Sequence, residues 1–391
     1  MKLSVNKSTP TGLPSLLAAV EPRLPQMLAA IRELVEMESP SDNKAAVDRL
    51  GELVARRFSQ IGGTPRFHRA TARGNHLQVH FAGSGSGKPA LLLGHLDTVY
   101  PLDTLAAMPF RHAAGRLHGP GVLDMKAGIV MMMFALQVLR KGGALPRPVT
   151  VLLTSDEEVG SESSRTIIEK LAKRSAFVFV LEPAQGAALK TARKGVGDYL
   201  VKVTGRAAHA GVDFEKGRSA ILELARQIER IAGFTDRKRG LTVNVGVVRG
   251  GTRTNVIAAE AEAEVDVRIA RAADAKLIAK KFATLRPLDK DCSVQVTGGV
   301  NRPPMERSRP IAELFRRAQS LAAAIGWKLE EASTGGGSDG NFTAALGVPT
   351  LDGMGAVGEG AHARHENIVI AELPRRTALV AAMLANLDQE C

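Results

Sequence analysis

Three short apolar runs restrict this chain more than any other feature. "PALLLGHLDTV" (89–99), "RPVTVLLTSDEE" (147–158) and "AFVFVLEP" (176–183) stay hydrophobic for about the length of a strand and then turn abruptly polar. Runs this short, without polar alternation, are the mark of strands buried on both faces, as in parallel sheets. "HLQVHFAG" (76–83) adds a fourth. Helical periodicity fills the intervals. "LPSLLAAVEPRLPQMLAAIRELVEM" is interrupted at Pro22 and Pro25, "SDNKAAVDRLGELVARRFSQIGG" opens on Ser41 as its cap and closes on Gly62 and Gly63, and "DMKAGIVMMMFALQVLRKGG" ends in a glycine pair. Strand and helix in alternation predict an α/β fold: a mainly parallel sheet covered by helices.

The pattern changes near Lys190. "DYLVKVTG" alternates with period two, "GRSAILELARQIERIAG" is amphipathic, and "LTVNVGVVRGGTRTNVIAAEAEAEVDVRIA" reads as two strands joined through glycines. "DAKLIAKKFATL" and "CSVQVTGGV" then supply a helix and a strand. The order β-α-β-β-α-β is that of a ferredoxin-like α+β domain. After about Arg302 the first style returns with "IAELFRRAQSLAAAIGW", "GVPTLDGMG" and "LPRRTALVAAMLANLDQ". The expected organisation is one α/β domain in two parts, 1–190 and 303–391, interrupted by an inserted domain at 191–302. A length of 391 residues suits this, because single cores rarely grow past roughly 250–300 residues.

The residues that end the apolar runs are the chemical puzzle. Asp156, Glu157 and Glu158 stand side by side, although like charges repel and resist desolvation. His95 and Asp97 end a second strand and Glu182 a third. In open parallel sheets, ligands gather at the carboxyl ends of strands, so these groups should converge. Asp124 follows the glycine-rich "GPGVLDMKAG" at the start of a helix, and His362 lies in "GEGAHARHEN". Each has an ordinary reading: a hydrogen-bonded histidine, a helix cap, a turn residue, a solvated acidic turn. Together, two histidines and several carboxylates form a ligand set suited to zinc or another divalent first-row metal.

Charge and composition narrow the class further. A formal charge of +12 raises nucleic acid as a partner. Against it, the basic residues are scattered, aromatics are 4%, and no helix-turn-helix, zinc-finger or RNP pattern occurs. A small acidic substrate fits the charge as well. No uninterrupted apolar stretch reaches about 18 residues, so a membrane span is not expected. "MKLSVNKSTPTGLP" has no apolar run after its first lysines, so a secretory signal is not expected, and the two cysteines, Cys292 and Cys391, are too few for a disulfide scaffold and their spacing suggests no metal knuckle. The expected setting is the reducing cytoplasm.

Taken in order, "GHLDTVYP", "GPGVLDMKAG", "TSDEEVGS", "LEP" and "GAHARHEN" resemble the metal-site motifs of the di-zinc exopeptidase and deacylase family. That family includes aminoacylase, acetylornithine deacetylase, succinyl-diaminopimelate desuccinylase and glutamate carboxypeptidase, and the resemblance covers nearly the whole chain. It implies two divalent ions, zinc with cobalt or manganese as alternatives. His95, Asp124 and Glu182 would surround one and Asp124, Glu158 and His362 the other, with Asp124 as the bridge. It implies amide hydrolysis with Glu157 as general base, and Asp97 accepting from the other ring nitrogen of His95 to fix its tautomer.

In "GRAAHAG" the resemblance makes His209 an oxyanion-holding histidine that reaches the partner subunit's active site, which implies a homodimer through the inserted domain. Asn255 and Arg268 match positions that hold the substrate carboxylate. "STGGGSDGNF" (333–342), with Gly336 and Gly337, resembles a glycine loop whose N–H groups face an anion. His365 is read as exposed, and His112 and His118 as structural. The wording of "TSDEEVGSESSR", "LEPA", "DVRIA" and "TGGGSDG" is closest to glutamate carboxypeptidases, implying release of a C-terminal amino acid, glutamate among them, from peptides or folate-like conjugates. An N-acyl-amino-acid deacylase, a dipeptidase and an inactive metal-retaining binding protein stay open as alternatives.

Overall fold

The computed structural model describes residues 12–143 and 145–386; Cys391 and the first 11 residues of the stretch read above for a leader lie outside these. Two compact units divide the chain. One runs to Thr191 and resumes with Arg307–Ser333 and again from Ser338; the other holds Ala192–Glu306 with Thr334–Gly337.

The first unit opens with α1 (Leu13–Val20) and α2 (Leu24–Val35), separated by a single tight turn at Glu21–Arg23. Pro22 and Pro25 lack the N–H that a continuous helix would need there. In α3 (Lys44–Gln60) the cap is Asn43, whose side chain accepts from the Ala46 N–H at 3.0 Å. Ser41, the cap expected from sequence, instead turns inward and donates to the Asp97 carboxylate at 2.7 Å. An Asn43→Ala substitution should therefore cost about 1 kcal/mol, read as a lowered midpoint in chemical denaturation, and an unchanged midpoint would show that the cap is dispensable.

Strands β1 (Thr64–His68), β2 (His76–Phe81) and β3 (Ala90–His95) follow, then α4 (Ala127–Lys141), β4 (Val149–Thr154), α5 (Arg165–Arg174) and β5 (Phe177–Val180). The inserted unit contributes β6 (Gly195–Thr204), α6 (Ala220–Ala232), β7 (Thr242–Gly250), β8 (Glu260–Ile269), α7 (Ala272–Ala283) and β9 (Ser293–Arg302). The chain returns to the first unit with α8 (Arg309–Ala323), α9 (Gly340–Ala345), β10 (Thr350–Leu351) and α10 (Leu373–Asn386).

In the first unit the sheet order is β1-β2-β4-β3-β5-β10. β4, β3, β5 and β10 pair in parallel, whereas β2 runs against both of its neighbours, so the sheet is mixed. The continuous apolar runs are explained by cover on both faces. Leu91, Leu93, Leu152, Val178 and Val180 pack with Ile168 of α5 and Phe342 of α9. The alternate residues Leu92, Val151, Leu153 and Phe179 join the larger core with α1 to α4 and α10. Among the described residues one helix, Val122–Lys141, is long and apolar enough to cross a membrane, but 89% of its apolar window is buried within the protein. It is a core helix.

The inserted unit is an antiparallel sheet of order β7-β8-β6-β9, the ferredoxin-like arrangement anticipated from the element order. β6 alternates buried and less buried positions along its length, with Tyr199, Val201 and Val203 turned to the core. There the Tyr199 ring stacks on Phe282 of α7 at 3.8 Å between centroids.

Candidate metal centre

The register of the sheet sets the site. His95 at the end of β3 pairs with Thr154 at the end of β4, and on the other side Leu93 pairs with Val180 at the end of β5. The residues that follow β4 and β5, Ser155–Glu158 and Leu181–Glu182, therefore leave the sheet beside His95. Thr154 is followed by a short turn, Glu157–Val159, that closes on Gly160. Glu182 is fixed by its carbonyl, which accepts from the Gly355 N–H at 2.9 Å, while buried Arg376 donates to the carbonyls of Gly353 and Gly355.

Asp124 arrives from above α4 in a turn, Val122–Lys126, with non-helical backbone at Asp124 and a cis peptide to Met125. Gly121 opens this turn with φ +71°, and a Cβ there would lie 2.6 Å from the Thr98 side chain. Glycine is required on both counts. Gly94 is needed for a different reason: a Cβ would lie 2.4 Å from the Met125 methyl, on the side chain whose sulfur accepts from the His95 N–H.

Five side chains converge. His95 Nε2 is 3.0 Å from Asp124 Oδ1 and 3.2 Å from Glu182 Oε1. His362 Nε2 is 3.1 Å from Glu158 Oε2 and 3.4 Å from Asp124 Oδ2. Two groups result, His95–Asp124–Glu182 and Asp124–Glu158–His362, each with its ligand atoms within 4.8 Å of one another. Asp124 belongs to both and offers a different oxygen to each. His362 reaches the cluster with its backbone at φ +64°, an unusual conformation for a residue other than glycine.

The electrostatics are those of a site that wants positive charge. Burial alone would lower the His95 pKa, but its hydrogen bonds to Asp124 and Glu182 hold it well above the ordinary 6.5. The Asp124 and Glu158 carboxylates lift His362 to about 10. Burial works to raise Asp124, yet the two histidines keep it well below the usual carboxylate range. Burial raises Glu158, and its Oε1 is buried without a hydrogen-bond partner. A buried acceptor with no donor is an open coordination position in a donor set of two imidazoles and three carboxylates.

Asp97 orients His95, though not as expected. His95 Nδ1 donates to the main-chain carbonyl of Asp97 at 2.9 Å, and the carboxylate stands 3.6 Å away. The fully buried carboxylate accepts instead from Ser41 Oγ and from the N–H groups of Glu157 (3.3 Å) and Glu158 (3.2 Å). Either way the ring orientation is fixed, with Nδ1–H on a carbonyl and Nε2, the nitrogen that would exchange its proton for a cation, facing the carboxylates. Glu157 itself is half-buried.

His209, Asn255, Arg268, Gly336 and Gly337 belong to the inserted unit. His209 is exposed, and its Nδ1 accepts from the N–H groups of Gly211 and Val212, leaving the proton on Nε2. The carbonyl of Asn255 accepts from Ala210 at 3.0 Å, so these two loops adjoin. The fork of Arg268 is occupied by Asp266, two residues back on the same face of β8, at 3.0 and 2.7 Å. Gly336 and Gly337 present their carbonyls to buried Arg193, each at 3.2 Å. His365 and His112 are exposed; His118 is half-buried, with Nδ1 3.3 Å from Arg111.

Sequence reasoning missed Arg193, Tyr100 and Glu366. Glu366 stands in the quoted "GAHARHEN", but a single acid in a glycine loop reads as solvated, whereas here it is fully buried. Its neighbour His362 was the only signal available.

Residues 91–386 match the family described as peptidase family M20/M25/M40. Carboxypeptidase G2 of Pseudomonas sp. (strain RS-16) is 29% identical over 383 residues, 95% of this chain and 92% of that protein. Acetylornithine deacetylase of Proteus mirabilis is 29% identical over 63% of this chain and 67% of its own length. The crystal structure of aminopeptidase PepT from Bacillus cereus shares the fold at a TM-score of 0.76 and 23% identity, over 93% of this chain and 98% of that one. With a family match over most of the chain and two adjoining ligand groups sharing Asp124, this chain is a member of the M20/M25/M40 peptidase family.

Proposed function

We propose that the protein hydrolyses the amide bond before a C-terminal amino acid, using two divalent cations held by His95, Asp124 and Glu182 and by Asp124, Glu158 and His362. Asp124 carries this reading: its two oxygens face different histidines, at 3.0 and 3.4 Å, as a carboxylate shared by two cations must. The mixed imidazole and carboxylate donors suit zinc, with cobalt or manganese as alternatives. Such cations, when bound, polarise the scissile carbonyl and acidify a water.

The remaining work falls to the chain. Glu157 takes a proton from the attacking water and passes it to the leaving amine. Its place beside Glu158, with both N–H groups on the buried Asp97 carboxylate, supports this division of labour. His209, with its proton on Nε2, is suited to donate to the developing oxyanion. Arg268 and Asn255 hold the substrate carboxylate, Arg268 by exchanging Asp266 for it, and the backbone around Gly336 and Gly337 adds donors.

His209 serves the site of a second copy in this reading. Edge strand β7 carries exposed Val247 and Val248, and α6 carries exposed Ile221 and Leu222, a surface fit for pairing two inserted units. The few cysteines fit a reducing, cytoplasmic setting.

The carboxypeptidase relative supports release of a C-terminal residue, glutamate first among those to try, and the deacetylase relative supports N-acyl amino acids as a second reading. Mass spectrometry on the metal-loaded protein, with folate-type glutamate conjugates, N-acyl amino acids and dipeptides, separates them. Metal-dependent release of glutamate from the conjugates is expected. Preference for short acyl groups whatever the C-terminal residue would favour the deacylase, and no turnover with both cations bound would return the binding-protein alternative.

A further inference from the structure

We infer that Glu366 is a positioning residue that sets the second cation site, the one formed by Asp124, Glu158 and His362, while leaving the first nearly independent of it. This rests on the two-cation reading above.

Glu366 is fully buried. Its Oε1 accepts from the N–H groups of Leu123 at 2.7 Å and Asp124 at 3.0 Å. Its Oε2 accepts from the Gly121 N–H at 3.1 Å and the Tyr100 hydroxyl at 2.6 Å. One carboxylate thus takes three main-chain donors of the turn that presents Asp124. That turn needs them, because its backbone departs from the helix and forgoes the ladder that would otherwise satisfy these groups. Among the described residues, no lysine, arginine or histidine forms an ion pair with Glu366. The direct contacts are all to neutral donors, with the buried Lys126 ammonium acting only at longer range, and such an array is directional, unlike a flexible ion pair.

The other end of Glu366 is tied to His362. Its N–H donates to the Ala363 carbonyl at 3.0 Å, and Ala363 donates to Gly360 at 2.9 Å, so residues 360–366 form successive turns with His362 inside them. The Tyr100 oxygen is also 3.0 Å from the Ala363 carbonyl. A single hydroxyl proton serves Glu366 or Ala363 at any moment, and either bond holds the same loop.

The two sites depend on this clamp unequally. His95 ends β3 and Glu182 follows β5, so both are fixed by the sheet and only Asp124 of the first trio hangs from Glu366. In the second trio both Asp124 and His362 hang from it, and Glu158 alone is held elsewhere, through Asp97. Loosening the clamp should separate Asp124 Oδ2 from His362 Nε2 while the first trio keeps two anchored ligands.

The test is Glu366→Gln, which keeps size and one acceptor but sets an NH2 against a backbone N–H. Tyr100→Phe, which removes only a hydroxyl, is the companion. Zinc and cobalt titrations of the full chain by calorimetry, with metal content after dialysis, read the two sites separately. Partners that orient metal ligands typically cost about 10–100-fold in affinity when lost. The expected result for Glu366→Gln is a second cation at least about tenfold weaker with the first little changed, and a smaller loss of the same kind for Tyr100→Phe. Equal weakening of both sites, or wild-type binding at both, would overturn the inference. Should Glu366→Gln fail to fold, an unaltered second site in Tyr100→Phe would overturn it as well. A wild-type protein that binds fewer than two cations would instead overturn the two-cation reading itself.

Discussion

Glu157→Gln should lower turnover by roughly 10²–10⁴-fold, the usual contribution of a positioned general base, while both cations stay bound. Glutamine keeps the shape of the side chain and its place in the turn after β4 but cannot take a proton. Because Glu157 belongs to neither ligand group, metal content should equal that of the wild type. Glu158→Gln gives the contrast one residue away: it weakens a ligand of the second trio, so metal content and turnover should fall together. Steady-state kinetics beside metal analysis separate the two. If Glu157→Gln turned over at near the wild-type rate, the base would have to be sought elsewhere, and if it lost a cation, Glu157 would be a ligand.

Chelation should leave a protein whose stability declines as the pH rises. Without cations, His362 is held at about 10 by hydrogen bonds from its ring to Asp124 and Glu158, and His95 is raised above 6.5 despite burial. A histidine with a raised folded pKa contributes stability that is complete below its unfolded value near 6.5 and is lost as pH climbs to the folded one. The window is therefore about pH 6.5 to 10. Glu158, raised by burial, acts in the same sense at lower pH, and Asp124, depressed, matters only below its ordinary 3.8. His362 is half exposed, so solvent screening keeps its own share modest.

Cations reverse the trend by replacing the protons, and each proton displaced makes binding about tenfold tighter per pH unit. At a free cation concentration a hundredfold above Kd, one site adds about 2.7 kcal/mol. Thermal scans with and without chelator, from pH 6 to pH 9 or so, should show a gap that widens with pH. A gap of constant size would mean that the histidines are not protonated in the metal-free cluster.

What the sequence disclosed and what it hid follow from how each feature is encoded. β3, β4 and β5 were legible because burial on both faces writes an unbroken apolar run, and their polar ends were legible because such a run has no other reason to stop on an acid. β1 carries no such mark: Thr64–His68 is mostly exposed at the sheet edge. The reversed direction of β2 left no trace in residue types either. Asp97 was found but its bond was not, since a main-chain carbonyl is the same at every position. Arg193 and Glu366 were hidden for that reason too, as both act on backbone groups. Asp266 and Arg268 share one face of β8 at a spacing of two, so their pairing was readable in "DVR" beside the substrate role read for Arg268.

The order in which the ligands lie along the chain bears on how the protein is made. His95, Asp124 and Glu182 all precede the inserted unit, whereas His362 follows it. During synthesis the first trio is complete on the ribosome while the second still lacks a member, and an entire ferredoxin-like unit must be translated before it arrives. β10, which flanks β5 beside Glu182, comes equally late. Glu366, which takes the N–H groups of the Asp124 turn, and Gly355, which binds the Glu182 carbonyl, arrive with His362, so neither ligand group has its full support until the segment after the inserted unit has been made.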